Sequence, residues 1–445
     1  MSYKNKYKDK NTSIEKNTLE KQVIGVVGLG YVGLPVAIGF SKKYRVIGYD
    51  INKTRIDTLL KYDDYTGQIS GHELKESLIE FTTDEKKLGS CNYIIVTVPT
   101  PISVNKEPDL TYLKDASSAL GKNLSKGAIV VYESTVYPGA TEEICIPILE
   151  EESGLVAGNG FYVGYSPERI NPGDKEHTFQ TINKVVAAQD EQTLEKIYNL
   201  YQSVIIAKVF KASTIKVAEA SKILENTQRD INIALMNEIS LIFNKLAINT
   251  YEVIEAASTK WNFTPFYPGL VGGHCIGVDP YYLIHKSKTA GYNPRFLSSA
   301  RDINDYMPEY IVKSLLEQIT LQKLNIKDLV ITILGITFKQ NIPDIRNSKA
   351  LEIVTILQKM GLSVQVCDPH VQSDQFNKDT VIDLREMKQL EKADVLILAV
   401  PHNTFTSLPE STFPNLLKDS KGIIMDIKGA LTQTGLNKNI ILWKL

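Results

Sequence analysis

The sequence predicts an α/β protein in which two parallel-sheet domains are joined by a helical middle domain with a long spine helix. Short apolar runs alternate with helix-like segments at both ends of the chain, a pattern typical of a parallel sheet covered by helices. The middle differs, because no glycine occurs between Asp174 and Pro268 and apolar residues recur there with a helical period. We expect sheet domains at 23–212 and 323–445 and the helical domain at 213–322.

The first segment, residues 1–22, is polar and lacks the hydrophobic core of a signal peptide, so we expect a disordered tail. The 445 residues carry a formal net charge of -1, which argues against general binding to nucleic acid or to an anionic membrane. No apolar run approaches the ~18 residues of a membrane span. The 4 cysteines show no metal-ligand spacing, so we predict reduced thiols, no metal and a cytoplasmic protein.

The first sheet domain opens with a glycine motif, "GLGYVG", which follows a buried strand and begins a helix. Gly28 would form the tight turn, Gly30 would admit a pyrophosphate, and Gly33 would let the helix pack on the strand. Asp50 ends the next strand, where its carboxylate can accept from both hydroxyls of an adenosine ribose. This arrangement predicts a Rossmann-like domain that binds NAD, and the charge of Asp50 disfavours the extra phosphate of NADP.

The spine helix should start after Ser213 or Thr214, either of which can cap it, and should run for roughly 30 residues. Lys222, Asn226 and Arg229 share one face of this helix, distinct from its apolar stripe. A solvated polar face is the simple interpretation. The alternative is that a lysine and an asparagine one turn apart hold a developing oxyanion and move its proton.

The last third repeats the α/β pattern of the first. Its runs "LVITILGI", "SVQVCDP", "ADVLILAVP" and "GIIMDIKG" parallel the four N-terminal strands, and Asp368 closes the second strand as Asp50 does. We therefore expect a second Rossmann-like sheet. The stretch "GITFKQNIPDIRNS" offers Lys339 and Arg346 in a loop that would face an anionic ligand, or only a capped, charged turn.

The stretch "YPGLVGGHCIGVDPYY" places Cys275 on an open, glycine-rich loop. Backbone amides around such a thiol can stabilise its thiolate, and Asp279 can orient a water or a cation. A small buried cysteine in a turn is the alternative. His274 and Asp279 suggest a metal, but no third ligand is suitably spaced. In "YSPERINPGD", Glu168 and Arg169 form a second charged turn.

Seven such motifs, from "GVVGLGYVGLP" to "GITFKQNIPDIRNS", occur in order over nearly the whole chain after Val23, among them "VTVPTP", "YESTVYPGATEE" and "EASKILENTQRDINIALMNE". In these the chain resembles the UDP-glucose/GDP-mannose dehydrogenase family of NAD-dependent nucleotide-sugar 6-dehydrogenases. The resemblance implies a four-electron oxidation of the sugar C6 alcohol to a carboxylate, with two NAD+.

The resemblance also implies a covalent mechanism. Cys275 matches the nucleophile that attacks the C6 aldehyde, giving a thiohemiacetal and then a thioester that water cleaves. Lys222 and Asn226 match the oxyanion and proton-transfer pair, and Asp279 matches an aspartate near the thiol. Glu168 matches a carboxylate implicated in thioester hydrolysis.

Further contacts are implied for both ligands. Thr135 matches a residue near the nicotinamide and the catalytic water. The cofactor set is Gly28, Gly30, Tyr31, Val32, Gly33, Asp50, Arg55, Thr100, Thr135 and Arg346. The substrate set is Arg169, Ile170, Lys222, Asn226, Arg229, Gly269, Phe338 and Lys339.

The sugar is indicated by a departure from the family pattern. The UDP-glucose branch carries a lysine just before the aspartate of the cysteine loop, whereas this chain has Val278. The loop is similar to that of the N-acetylhexosamine branch. Arg169 and Asn171 could hydrogen-bond an acetamido group, and Trp261, Phe263 and Phe266 could pack on its methyl.

We therefore predict a 6-dehydrogenase of UDP-N-acetylglucosamine or UDP-N-acetylgalactosamine that supplies a surface polysaccharide, such as a capsule or O-antigen. UDP-N-acetylmannosamine and UDP-glucose are the alternative substrates. An inactive NAD- or nucleotide-binding regulator is the alternative of another class. We expect a homodimer or higher homo-oligomer formed through the middle helices, and neither nucleic acid nor membrane insertion.

Overall fold

The computed structural model describes residues 22–170, 174, 176–376 and 381–445, so the predicted tail lies almost wholly outside the described residues. The chain forms two compact units. The first comprises the chain up to Glu225 together with Tyr281–Ala290, and the second comprises Asn226–Pro280 and Gly291–Leu445.

An eight-stranded sheet organises the first unit, in the order β3-β2-β1-β4-β5-β6-β7-β8. The strands are β1 (Val23–Val27), β2 (Arg45–Tyr49), β3 (Ile79–Thr82), β4 (Tyr93–Val96), β5 (Ile129–Tyr132), β6 (Tyr162–Tyr165), β7 (Lys184–Ala188) and β8 (Val209–Lys211). The predicted parallel sheet is confirmed, with one antiparallel pair, β6 with β7. The described part of the connection between them contains no helix, and a parallel crossover normally needs one.

Helices cover this sheet: α1 (Gly33–Ser41), α2 (Lys53–Leu59), α3 (Gly71–Glu76), α4 (Thr111–Asn123), α5 (Ile146–Ser153) and α6 (Glu191–Val204). Helix α1 is buried along nearly its whole length, and its Phe40 packs edge-to-face on Tyr201 of α6. The buried apolar cluster thus extends from β1 through α1 to α6 and fixes the strand ends that carry the polar residues described below.

The spine helix, α7 (Ile215–Lys245), has 31 residues and contributes to both units. The hydroxyl of Thr214 accepts a hydrogen bond from the Val217 amide at 3.1 Å, so one of the two predicted caps is present. Three more helices follow: α8 (Thr250–Ser258), α9 (Asp279–Thr289) and α10 (Arg295–Leu321). No helix in the described part of the chain is long and apolar enough to cross a membrane.

A six-stranded, fully parallel sheet organises the second unit, in the order β11-β10-β9-β12-β13-β14. Its strands are β9 (Val330–Leu334), β10 (Ser363–Cys367), β11 (Asp383–Leu384), β12 (Val395–Leu398), β13 (Gly422–Asp426) and β14 (Ile440–Lys444). Helices α11 (Lys349–Lys359), α12 (Asn403–Thr406) and α13 (Thr412–Asn415) pack beside it. The four predicted strands are β9, β10, β12 and β13. Edge strands β11 and β14 extend the sheet beyond them.

Candidate active site

The glycine turn after β1 is shaped for a close backbone approach. Gly28 has a φ of +87°, a conformation that favours glycine. A Cβ at Gly33 would overlap the Gly28 carbonyl oxygen, whereas a Cβ at Gly30 would meet no atom within 4 Å. No side chain caps α1 at Val32, the residue before the helix. Open space over an uncapped helix N-terminus fits the pyrophosphate of a dinucleotide.

Asp50 lies beside this turn. Its carboxylate oxygens accept hydrogen bonds from the amides of Leu29 and Asn52, both at 2.8 Å. A carboxylate has about four acceptor sites, so roughly two are left for ribose hydroxyls. Tyr31 and Val32, which belong to the predicted cofactor set, are both half-buried on the same turn.

Arg55 is internal, although we predicted that it contacts the cofactor. Its side chain is 1% exposed, and its Nε donates to the Leu29 carbonyl at 2.7 Å. Its Nη1 lies 2.8 Å from Asp64 Oδ1. Arg55 thus stabilises the glycine turn through the Leu29 carbonyl. Its direct contact with the cofactor stays a prediction.

Two predicted threonines follow neighbouring parallel strands at the same edge of the sheet. Thr100 follows β4 and Thr135 follows β5, and both are half-buried. The Thr100 carbonyl accepts a hydrogen bond from the Tyr282 hydroxyl at 2.8 Å, which ties this loop to α9. The carboxyl edge of a parallel α/β sheet is where such folds bind their ligands.

Glu168 lies after β6, where it is buried and both of its carboxylate oxygens have polar partners. Its Oε1 accepts the amides of Arg169 and Ile170 at 2.6 and 2.5 Å, and its Oε2 lies 2.9 Å from Lys184 Nζ. Burial alone would raise the pKa of Glu168, but the Lys184 ammonium and these hydrogen bonds outweigh it and lower the pKa. Glu168 is therefore held as an anion.

Lys184 also binds a second carboxylate, which the sequence interpretation missed. Its Nζ lies 2.8 Å from Glu133 Oε2, and the Tyr201 hydroxyl donates to the other Glu133 oxygen. Burial raises the pKa of Glu133 to about 7, although the Lys184 charge opposes the shift. No local pattern could have revealed the cluster, because its members come from β5, β6, β7 and α6.

Arg169 is engaged by neighbours within the first unit. Its guanidinium pairs with both carboxylate oxygens of Glu225 and donates to the Asn183 carbonyl at 2.8 Å. It remains half-buried, so its proposed hydrogen bond to an acetamido group stays a prediction. Asn171, proposed for the same task, lies outside the described residues.

Helix α7 buries its polar face. Lys222 and Asn226 are 8% and 5% exposed, so the interpretation of a solvated face is wrong for these two residues. Within the described residues, the Lys222 side chain makes no hydrogen bond or ion pair. Arg229 is exposed, and the next buried position on this face is Asp230. The apolar stripe is only partly buried: Ile223 is 0% exposed, whereas Leu224, Leu235 and Ile242 are 63%, 49% and 46% exposed.

A polar network extends this face through the second unit. The carboxylate of Asp230 accepts from Arg301 Nη1 at 2.5 Å and from Asn304 Nδ2 at 2.7 Å. Asn304 accepts from Asn237, whose side-chain amide also binds both the N–H and the carbonyl of Gly269, at 2.7 and 3.0 Å. The backbone of Gly269, a predicted substrate contact, is thus held in place by the Asn237 side chain. Polar residues at i, i+4, i+8 and i+15, from Lys222 to Asn237, share one side of the helix, and this spacing identifies the face but not its burial.

The cysteine loop is a tight turn just before α9. The Cys275 carbonyl accepts from the amides of Val278 and Asp279 at 3.0 and 2.8 Å, and Cys275 is half-buried. Its Sγ lies 3.2 Å from His274 Nδ1. Asp279 is 2% exposed and accepts from Asn226 Nδ2 at 2.5 Å. The structure thus brings together the thiol turn, the aspartate and the asparagine that the sequence singled out.

The loop after β9 packs against the cysteine loop within the second unit. A Cβ at Gly273, whose φ is +78°, would press on the Phe338 ring, and that ring stands edge-on to His274 at 5.7 Å. The Asn347 side chain donates to the Gly273 carbonyl at 3.2 Å. Phe338 and Lys339, both predicted substrate contacts and both half-buried, therefore lie on a loop that is fastened to the thiol turn.

Arg346, predicted to reach NAD, ends this loop. Its Nε and Nη2 form a two-pronged pair with the Asp344 carboxylate at 3.0 and 2.5 Å, and its side chain is 54% exposed. Burial alone would raise the pKa of Asp344, but Arg346 outweighs it and lowers the pKa. Of the aromatic residues proposed for the acetamido methyl, Trp261 is 92% exposed, while Phe263 and Phe266 are half-buried.

Asp368 lies after β10 as Asp50 lies after β2. Its Oδ2 accepts from the amides of Ile336 and Thr337 at 2.7 and 3.2 Å and lies 3.0 Å from His402 Nε2. Its Oδ1 accepts from the His370 amide at 2.8 Å. The described residues hold no cluster of three or more His, Cys, Asp or Glu side chains suited to a metal ion.

Models of three domains of one family match the chain. They are the NAD-binding, central and UDP-binding domains of the UDP-glucose/GDP-mannose dehydrogenase family, over residues 22–205, 216–306 and 332–433. Protein CapL of Staphylococcus aureus is 50% identical over 422 residues, covering 95% of this chain and 99% of CapL.

Two further similarities concern proteins whose names state a substrate. The UDP-N-acetyl-D-glucosamine 6-dehydrogenase of Pseudomonas aeruginosa is 47% identical over 411 residues, 92% of this chain and 97% of that protein. The solved structure of a UDP-N-acetylmannosamine dehydrogenase from Pyrococcus horikoshii matches with a TM-score of 0.85 at 32% identity, covering 95% of this chain and 98% of that one.

Proposed function

Because the chain belongs to the UDP-glucose/GDP-mannose dehydrogenase family, and is thereby an NAD-dependent nucleotide-sugar dehydrogenase, we propose that its substrate is a UDP-N-acetylhexosamine. UDP-N-acetylglucosamine and UDP-N-acetylgalactosamine are the two candidates. One observation carries this proposal: aligned by sequence, identity is 47% to a UDP-N-acetylglucosamine 6-dehydrogenase but 35% to the mannosamine dehydrogenase of Pyrococcus horikoshii. Val278, in place of the lysine of the glucose branch, supports it.

We propose that the reaction proceeds through Cys275. The C6 alcohol first loses a hydride and a proton to give the aldehyde. The thiolate then forms a C–S bond to the aldehyde carbon, and the oxyanion takes up a proton to give a thiohemiacetal. Loss of hydride and a proton gives the thioester, and water then forms the C–O bond of the acid as the C–S bond breaks. Bound NAD supplies the hydride acceptor for each of the two oxidations.

The chain's own groups have distinct tasks in this scheme. Asn226 holds Asp279 at 2.5 Å, and we propose that Lys222 and Asn226 stabilise the oxyanion and move its proton. Glu168, held as an anion, accepts a proton from the water that cleaves the thioester. A covalent bond keeps the aldehyde from escaping between the oxidations.

We also propose the domain limits 23–212, 213–322 and 323–445, a homo-oligomer, and a cytoplasmic enzyme whose uronic acid is used in a surface polysaccharide. The match of a UDP-binding domain to residues 332–433 supports the assignment of the second sheet to the nucleotide of the sugar.

The substrate proposal is tested by measuring NADH formation with four UDP sugars in parallel: N-acetylglucosamine, N-acetylgalactosamine, N-acetylmannosamine and glucose. We expect kcat/KM for one of the first two to exceed that for UDP-glucose at least tenfold, because an amide-binding site left unpaired costs about 1–3 kcal/mol. Two NADH should form per sugar, with no free aldehyde. Equal turnover of UDP-glucose would overturn the substrate assignment, a stoichiometry of one would overturn the covalent mechanism, and no turnover at all would favour the inactive regulator.

A further inference from the structure

Four buried side chains form a cluster behind the edge of the first sheet: Glu133, Glu168, Lys184 and Tyr201. The Lys184 ammonium, 0% exposed, lies 2.8 Å from Glu133 and 2.9 Å from Glu168. Glu133 and Tyr201 are 1% and 0% exposed, and the Tyr201 hydroxyl donates to Glu133. Each group sits on or next to a strand or helix, so the spacing is set by the packed core.

The cluster contains one positive charge and two carboxylates. An unbalanced buried charge is unfavourable, so near neutral pH the cluster holds a proton. The raised pKa of Glu133 and the lowered pKa of Glu168 place this proton on Glu133. Arg169, a cation next to Glu168 in the described part of the chain, directs its guanidinium to Glu225 and the Asn183 carbonyl, so it does not neutralise the pair.

We propose that Glu133 is a positioning residue which, through the shared Lys184 ammonium, sets how strongly Glu168 accepts a proton during hydrolysis of the thioester. This inference rests on the proposed function, in which Glu168 serves that step. When Glu133 is protonated, Lys184 is committed to Glu168, and Glu168 is a weak base. When Glu133 is ionised, the two carboxylates share Lys184, and Glu168 becomes a stronger base while remaining an anion.

The consequence is a pH dependence confined to one chemical step. Hydrolysis should accelerate as the pH rises through the pKa of Glu133, which burial raises to about 7. Hydride transfer does not use Glu168 in this scheme, so the first NADH should form without this dependence. Tyr201 favours ionised Glu133 by donating to it, and its loss should move the acceleration to higher pH.

The test follows hydrolysis in single turnovers between about pH 6 and 8.5, the range that brackets this titration. The thioester is trapped with hydroxylamine and counted by mass spectrometry, and the acid is measured by chromatography. We expect Glu133→Gln, which mimics protonated Glu133, to keep the slow low-pH rate severalfold below wild type at high pH. Tyr201→Phe should retain the acceleration but shift it upward in pH, and both variants should form the first NADH at the wild-type rate.

Two outcomes overturn the inference. One is a wild-type acceleration in Glu133→Gln. The other is an equal loss of rate at every pH, which would indicate a merely structural role, and thermal unfolding of each variant identifies misfolding. Absence of a trapped thioester in the wild-type enzyme is a different failure, because it removes the proposed covalent mechanism and this inference with it.

Discussion

Among single residues, the four cysteines differ in how easily their surroundings allow the thiol to ionise and react. Burial raises the pKa of Cys91 and Cys145 to about 12 and that of Cys367 to about 11. Cys275 is half-buried on a glycine-rich turn instead. The thiolate is the reactive form of cysteine, so the three buried thiols are inert near neutral pH.

We therefore predict that a small alkylating agent such as iodoacetamide modifies Cys275 first. Loss of acid formation should track one modified thiol per chain, located by peptide mass spectrometry, because only this thiol is accessible. Cys275→Ala should form no acid, whereas Cys367→Ala is the control that should retain both turnover and labelling of Cys275. Inactivation with Cys275 still unmodified would contradict this prediction.

Asp50 is the residue from which cofactor choice can be tested. Asp50→Ala should raise KM for NAD+ about tenfold or more and narrow the preference over NADP+, because a hydrogen bond to a charged group contributes roughly 1.5–3 kcal/mol. Initial rates with both cofactors measure this. Asp57→Ala, which removes an exposed carboxylate paired with Lys53, is the matched control. An unchanged KM would mean that Asp50 contacts no ribose.

At the scale of elements, α7 shows which features of a helix its sequence pattern can predict. Its length, its Thr214 cap and its two faces were all predictable from local spacing. Which face points inward was not, because the buried polar side chains find partners far away in sequence, such as Arg301 and Asn304. A 3.6-residue apolar period identifies a stripe but does not say whether this chain or a second one covers it.

The two sheets also show which features local sequence can predict. Glycine spacing predicted the first turn of the first sheet, and the apolar runs predicted four strands of the second, because both patterns depend on residues close in sequence. The match to an NAD-binding domain confirms the cofactor. The cluster of Glu133 and Lys184 joins residues 51 positions apart, with no repeating pattern to indicate the contact. Tertiary packing alone creates it.

The clamp between α7 and the loop before the thiol turn yields a prediction for an element. Asn237→Ala should leave the N–H and carbonyl of Gly269 without that partner, at about 1–3 kcal/mol, and so loosen a predicted substrate contact. We expect a raised KM for the UDP sugar and an unchanged KM for NAD+, measured in the same assay. Asn232→Ala, on the exposed side of α7, is the control. A raised KM for both ligands would instead indicate general destabilisation.

At the scale of the molecule, the second unit exposes an apolar surface formed by α7 and α10. A groove of about 520 Å³ runs between these helices. Its lining combines apolar and aromatic residues with charged ones: Leu241, Ile242, Leu246, Tyr306 and Tyr310 with Glu238, Lys245, Lys313 and Glu317. Contiguous exposed apolar patches commonly mark interfaces, and most soluble homo-oligomers are symmetric. This surface is consistent with the homo-oligomer we propose.

We predict that Leu235→Glu together with Ile242→Glu yields a monomer, because charges on this surface would be buried unpaired at a two-fold interface. Light scattering after size exclusion measures the mass directly. Leu78→Glu, at a residue 71% exposed on the first unit, is the control and should leave the oligomer intact. An unchanged mass in the double variant would place the interface elsewhere.

The aspartates after β2 and β10 differ in how many further hydrogen bonds each can accept from a ligand. Asp368 already accepts four hydrogen bonds from Ile336, Thr337, His370 and His402, whereas Asp50 accepts two. A saturated carboxylate cannot take ribose hydroxyls as well. One chain would therefore hold one dinucleotide at a time, and the four-electron oxidation that we propose would require the spent cofactor to leave and a fresh one to bind midway. The half-oxidised sugar would have to stay bound during that exchange. The sugar would therefore bind before the first NAD+ leaves and dissociate only after the second has reacted.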